Sequence, residues 1–165
     1  MALFYFAYGS NMSLAQMRER CPESERVGIG HLPGHRLVFP RFSMNRQCGV
    51  AGVEAHPEHE VWGVIYRLSP ADGVRLDRFE GYDAGRRPDL NNYNRVDVTI
   101  HGHQPEPRGI GCMTYVPTRQ GDHFPPDHDY HGLLLSGARE NLLPQHYVDL
   151  IERIAVLPRR QAPIM

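Results

Sequence analysis

Two short stretches of this chain carry the residue types that could do chemistry. In Leu76-Asp77-Arg78-Phe79-Glu80-Gly81-Tyr82, Gly81 is the residue that most readily takes the left-handed conformation that stops a helix. Glu80 follows Leu76 by four residues, so both share one helix face and the carboxylate stands at the edge of the apolar stripe, beside Phe79. There it meets the negative end of the helix dipole and partial desolvation, and both raise its pKa toward the range of a general base. Position alone favours an exposed helix-end glutamate, and only context can overturn that. The second stretch is Tyr8-Gly9-Ser10-Asn11, closing an apolar run. Glycine permits the turn, and the N–H groups after it can form a nest for a carboxylate or a developing oxyanion. An ordinary Gly-Ser-Asn turn has the same letters.

Composition removes several rival chemistries. Eighteen basic residues face nineteen acidic ones, for a net charge of −1, which speaks against a nucleic-acid or anionic-membrane partner. All the basic residues are arginines, and without lysine no Schiff-base site, P-loop or kinase centre can be built. Cys21, Cys48 and Cys112 are far apart and form no C-x-x-C pair, so neither a disulfide framework nor a zinc knuckle is indicated, and a reducing, cytoplasmic location fits. Ten histidines include ligand-like groups at His101-x-His103, His56 to His59 and Asp127-His128-Asp129. They lie in polar segments and no H-E-x-x-H occurs, so no metal is expected. Ser136 lacks the glycines of a nucleophile elbow, and Cys112 falls on an apolar strand where an inert thiol is the rule.

The elements that must position these groups follow from patterning. At 165 residues and 41% hydrophobic content, one domain over 1–165 is expected. Ala2 to Tyr8 reads as a central strand. Ser13 and Gln16 form a capping box for a helix that Pro22 ends. Arg26 to Leu32, His35 to Phe39, Gly49 to Glu54 and Val61 to Leu68 read as short strands of a meander, broken by proline or glycine. Ser69-Pro70 opens a helix running to Glu80, and Asn94 to Ile100 and Gly109 to Val116 are two further strands. Leu133 to Arg139 and Pro144 to Ala155 are helical, with Tyr147, Leu150, Ile151 and Ile154 on one apolar face of the second. No segment approaches the length of a membrane span. The sum is an α+β class, a small antiparallel or mixed β-barrel flanked by helices.

Four segments, in order, resemble the gamma-glutamylcyclotransferase family: FAYGSNM at Phe6 to Met12, EVWGVIYRL at Glu60 to Leu68, LDRFEGY at Leu76 to Tyr82 and GARENLLP at Gly137 to Pro144. The resemblance implies a mixed α/β fold around a small barrel and conversion of a small-molecule γ-glutamyl compound into 5-oxoproline plus a free amine or amino acid, with no cofactor. It places the catalytic acid/base on Glu80. It places backbone contacts to the glutamyl group on Tyr8, Gly9, Ser10 and Asn11, and pocket tyrosines on Tyr93, Tyr115 and Tyr130. Two departures stand out. Asp83 to Asp89 makes a longer, charged connection that bears on the leaving-group pocket, and Leu142 stands where the family usually has glycine.

The chemistry suits these residue types. Such a substrate holds its own nucleophile, because its α-amine can reach its own γ-carbonyl, so the protein needs a base rather than a serine or cysteine. Two alternatives share the fold: a γ-glutamylamine cyclotransferase acting on an isopeptide or a protected biosynthetic intermediate, and a binding module without turnover. The identity of the amine and the oligomeric state are not legible in the residues.

Overall fold

A computed structural model describes residues 3–102 and 108–158. Five strands, β1 (Leu3–Ala7), β2 (Glu25–Ser43), β3 (Cys48–Leu68), β4 (Tyr93–Ile100) and β5 (Ile110–Pro117), form one sheet in the order β2-β3-β1-β5-β4. The helices are α1 (Leu14–Arg20), α2 (Pro70–Glu80), α3 (His128–Glu140) and α4 (Gln145–Glu152). β1 runs parallel to β5 and antiparallel to β3; the other pairs are antiparallel. The first strand is thus central, as its continuous apolar run requires: Tyr5, Phe6, Ala7 and Tyr8 are all buried.

The expected α+β class holds, but the sheet is not closed into a barrel. Among the described residues its two edges meet at a single bridge just past β4, where His31 and His101 exchange two backbone hydrogen bonds of 2.9 Å. The meander also differs. Where four short strands were expected, β2 and β3 form one hairpin of 19 and 21 residues. Register shifts fall between Arg26 and Gly28, Pro33 and His35, and Val38 and Arg41. The glycines and prolines that look like breaks are bulges, which bend a strand without ending it.

Helix starts and stops follow the sequence closely. Ser13 caps α1 by accepting from the Gln16 N–H, and Ser69 caps α2 by accepting from the Asp72 N–H, each worth about 1 kcal/mol. Only half of the capping box forms at α1, because the Gln16 amide donates to Ser10 and Asn11 instead of returning to Ser13. At the end of α2, Gly81 has φ 63°, Tyr82 N–H donates to Asp77 O, and Gly81 N–H donates to Arg78 O. A Cβ on Gly81 would lie 2.7 Å from the Asn92 amide. The chain therefore turns sharply just after Glu80 and leaves that side chain on the last helical turn. α3 begins earlier than expected, capped by Asp127, and on α4 the buried face is Tyr147, Val148 and Ile151 while Leu150 is 40% exposed. No helix among the described residues is long and apolar enough to cross a membrane.

Leu142 takes the conformation that the usual glycine would favour. Its φ is 56° and its side chain is 82% exposed, so the strained backbone gains no burial in return. Leu142→Gly should therefore raise stability by up to about 1 kcal/mol, the relief of strain outweighing the added freedom of the unfolded chain. Urea unfolding checks this: the midpoint should rise with an unchanged slope, and a lower midpoint would contradict it.

Candidate active site

The turn after β1 is closed by its own hydrogen bond and held by two other elements. Ser10–Met12 forms a single 3₁₀ turn closed by Met12 N–H to Gly9 O at 3.1 Å. From β3, the Tyr66 hydroxyl donates to Asn11 O at 2.9 Å. From the end of α3, the Asn141 amide donates to Met12 O at 2.8 Å, and the Glu140 carboxylate accepts from the Leu14 N–H at 2.8 Å. Gly137 lets α3 approach, since a Cβ there would lie 2.7 Å from Met12 Cβ. The role of GARENLLP is thus to support the turn.

Asn11 links this turn to the carboxylate. Its amide oxygen accepts from Gln16 at 2.8 Å and from Arg20 at 3.2 Å. Arginine has only donors, so this orientation directs the Asn11 NH₂ the other way, to Glu80 Oε1 at 3.1 Å and the Tyr5 hydroxyl at 3.0 Å. The Glu80 side chain is only 13% exposed, and its distance of 3.9 Å from Arg20 makes a weak ion pair. Burial pushes the Glu80 carboxyl up to about 7, against the pull of Arg20, Asn11 and Arg46, with a smaller push from Asp77. The exposed helix-end alternative is ruled out. Desolvation, more than the helix dipole, accounts for the shift.

Glu80, Ser10, Tyr93 and Tyr130 line both a small inner cleft of about 40 Å³ and an outer basin of about 430 Å³. Every residue expected from the sequence, Tyr8, Gly9, Ser10, Asn11, Glu80, Tyr93, Tyr115 and Tyr130, lines the inner cleft, together with Tyr5 and Ala51. Tyr8, Tyr115 and Tyr130 are tied down as well as buried. Tyr8 donates to Tyr115 O at 2.5 Å, Tyr130 accepts from the Ala51 N–H at 2.9 Å, and Tyr115 donates to Asp77 at 2.6 Å. Burial raises the pKa of Tyr5, Tyr8, Tyr93 and Tyr115, and takes Tyr130 to about 12, so all stay neutral near pH 7.

Beneath Tyr115, Asp77 also accepts from Arg95 at 2.7 Å. The outer basin adds Arg20, Arg41 and Arg46, with Phe79 and Met44 at 56% and 75% exposure. None of these arginines was singled out from the sequence. Arg46 sits next to the β2–β3 hairpin tip and Arg41 lies inside a strand, so no local motif marks them. The charged segment Asp83 to Asp89 lines neither space, contrary to expectation. It folds on itself through Arg86 to Asp83 and Arg87 to Asp89, and Asn91 hydrogen-bonds Asp83.

Comparison with known proteins gives one consistent result. A family model described as AIG2-like matches residues 60–151. A gamma-glutamylcyclotransferase of Mus musculus is 30% identical over 154 residues, covering 91% of this chain and 77% of the relative. That of Homo sapiens is 28% identical over 157 residues, covering 93% and 79%. A solved gamma-glutamyl cyclotransferase structure superposes with a TM-score of 0.85 at 26% identity, over 98% of this chain and 93% of the other. This chain belongs to the gamma-glutamylcyclotransferase family. The span matched by the family model holds Glu80, Tyr93, Tyr115 and Tyr130, and folding adds the Gly9–Asn11 turn from outside it.

The rival readings are placed elsewhere. Among the described residues, no group of three or more His, Cys, Asp or Glu side chains is arranged to hold a metal ion. His56 and His59 pair ring to ring at 4.2 Å, His101 serves the edge bridge, and His103 lies outside the described residues. Cys112 is buried on β5, and Ser136 is directed to Leu133 O.

The raised Glu80 pKa has a consequence for stability. A buried carboxyl costs nothing extra while protonated, so its penalty is absent below about 4.5, grows as pH rises and is complete above about 7. Glu80→Gln should match the native chain in stability at pH 4 and exceed it by on the order of 2 kcal/mol at pH 8.5. Urea unfolding of both at the two pH values tests this, and a difference that does not change with pH would contradict it.

Proposed function

We propose that this chain converts γ-glutamyl compounds into 5-oxoproline and a free amine or amino acid, without a cofactor, with Glu80 as the acid/base. The observation that carries the reading is the Glu80 carboxyl itself: nearly buried, raised to about 7, and hydrogen-bonded through Asn11 to the turn. In the reaction, the substrate's α-amine attacks its own γ-carbonyl carbon, forming the ring C–N bond. An α-ammonium has a pKa of about 7.7–8.0, so it is mostly protonated at neutral pH and needs a base. Ionised Glu80 takes that proton. The tetrahedral intermediate then collapses: the original amide C–N bond breaks, the leaving nitrogen takes up the proton held by Glu80, and the ring nitrogen gives its second proton to the regenerated Glu80 carboxylate, which passes it to the freed amine as that amine departs as an ammonium. One carboxyl with a pKa near 7 serves both steps, since neither protonation state is far from ambient pH.

The backbone N–H groups of Gly9, Ser10 and Asn11, residues that line the inner cleft, would hold the glutamyl carboxylate or the oxyanion. Such donors contribute roughly 3–4 kcal/mol each in comparable sites. Because Tyr66, Asn141 and Glu140 fix the turn beforehand, little reorganisation is needed at the moment of reaction. The tyrosines supply walls that exclude water and stay neutral, and Tyr115 is aimed by Asp77. That retained and tuned base favours an enzyme over a binding module of the same fold.

Incubation with a panel of γ-glutamyl compounds, following 5-oxoproline, tests the reading; measurable binding with no product from any of them would favour the module. Glu80→Gln should lower kcat by roughly 10²–10⁴-fold while ligand binding survives. Native kcat should rise with pH through about 7 as Glu80 ionises, and that limb should vanish in the variant. Tyr115→Phe should cost less, within about tenfold, because it loses one hydrogen bond and no proton carrier. A loss equal to that of Glu80→Gln would assign the base wrongly.

A further inference from the structure

The outer basin carries more positive charge than the reaction itself requires. Its walls hold three arginines, Arg20, Arg41 and Arg46, and Glu80 is the sole carboxylate among them. Arg20 is engaged with Glu80 and Asn11. Among the described residues, the hydrogen bonds of Arg41 and Arg46 go to neutral acceptors only. Arg41 donates to Thr118 O at 3.2 Å and to the Asn92 side chain at 2.9 Å. Arg46 donates to the Gln16 side chain at 3.2 Å and to Ser10 at 3.4 Å, and its guanidinium lies 5.0 Å over the Tyr130 ring.

These two guanidiniums are fixed from opposite sides. Arg41 belongs to the body of β2 and is tied to the segments flanking β4 and β5, while Arg46 lies in the hairpin turn and is tied to the turn after β1 and to α1. Each therefore keeps its place without a ligand, and each retains donors for an anion. With Glu80 ionised, three cations and one anion leave an excess of two positive charges around the space into which the leaving group must extend.

Charge matching then selects among substrates. A γ-glutamyl amine carries one carboxylate and one ammonium and is neutral overall. A γ-glutamyl neutral amino acid is singly negative. A γ-glutamyl acidic amino acid, with three carboxylates and one ammonium, carries a charge of −2 near neutral pH. We infer that Arg41 and Arg46 form an anion subsite for the leaving amine, and that the preferred amine half is an acidic amino acid bearing two carboxylates. This rests on the reaction proposed above. Phe79 and Met44, exposed at the basin mouth, would instead favour an apolar amine half, which makes the two chemistries separable.

An isosteric pair of substrates tests the inference most cleanly: γ-glutamyl-glutamate against γ-glutamyl-glutamine, which differ by one charge and almost nothing in shape. With the native enzyme, kcat/KM for the glutamate compound should exceed that for the glutamine compound by about tenfold or more, mostly through KM, and added salt should narrow the gap. Arg41→Gln and Arg46→Gln should each reduce this ratio, and the double substitution should bring it near one. A ratio near one in the native enzyme, a preference for γ-glutamyl-leucine, or a ratio unmoved in both folded variants overturns the subsite. If one variant does not fold, the other together with the salt series on the native enzyme decides. Should no compound turn over, the proposed reaction fails, and equilibrium dialysis with the same pair still judges the subsite: tighter binding of the glutamate compound supports it, while equal or absent binding overturns it.

Discussion

The site depends on how one amide is oriented. Asn11 presents its oxygen to Gln16 and Arg20 and its nitrogen to Glu80 and Tyr5, and a flip would set two donors against Arg20 and an acceptor against a carboxylate. That single orientation ties the first-strand turn to the last turn of α2, elements separated in sequence by 69 positions. It also lets the carboxylate stay in a poorly solvated place. Without the Asn11 bond and the weak Arg20 pair, burial would drive the carboxyl still higher and leave it protonated at neutral pH. Burial and partial compensation together hold it near 7, where a proton can be taken and returned.

Much of the rest of the fold supports that arrangement. The segments by which the chain resembles its family look unrelated along the sequence, yet each ends on the same turn. β3 contributes Tyr66, α2 contributes Glu80, and the end of α3 contributes Gly137, Glu140 and Asn141. Of these, only Glu80 is placed in the proposed chemistry. Tyr66 and Asn141 fill hydrogen bonds that the buried turn would otherwise leave unmade, each at a cost of roughly 1–3 kcal/mol, while Gly137 permits the close approach and Glu140 holds the start of α1. A rigid turn beside a tuned carboxyl is what cyclisation asks of a protein when the substrate carries its own nucleophile.

Of the inner cleft, the turn after the first strand and the placing of Glu80 were legible because their signals are local, whereas Tyr93, Tyr115 and Tyr130 came only from the resemblance to the family. Gly81 after Glu80, Ser69-Pro70 before it, and Gly9 after an aromatic strand each encode a backbone geometry within a few residues. What was not legible depends on distance along the chain. Pro33 and Pro40 look like strand ends, yet cross-strand pairing carries β2 and β3 past them as bulges, and whether the sheet closes depends on its edges, which among the described residues share a backbone bridge at His31 and His101 alone. Leu150 had the right spacing for a buried face, but α4 turns Val148 inward instead. Arg41 and Arg46 reach the basin only because the long hairpin folds over the turn, so no spacing rule could have found them. The Asp83 to Asp89 connection, conspicuous for its charge, satisfies itself on the surface.

The central claim is physical: the Glu80 carboxyl changes protonation state close to neutral pH because the fold withholds water from it. The most direct test is a pH titration of the side-chain carboxyl carbons by NMR on glutamate-labelled protein, with Glu80→Gln identifying the signal. The account predicts that the Glu80 carbon titrates with a midpoint near 7, well above the ordinary glutamate value. A Glu80 midpoint near 4.5 would contradict it.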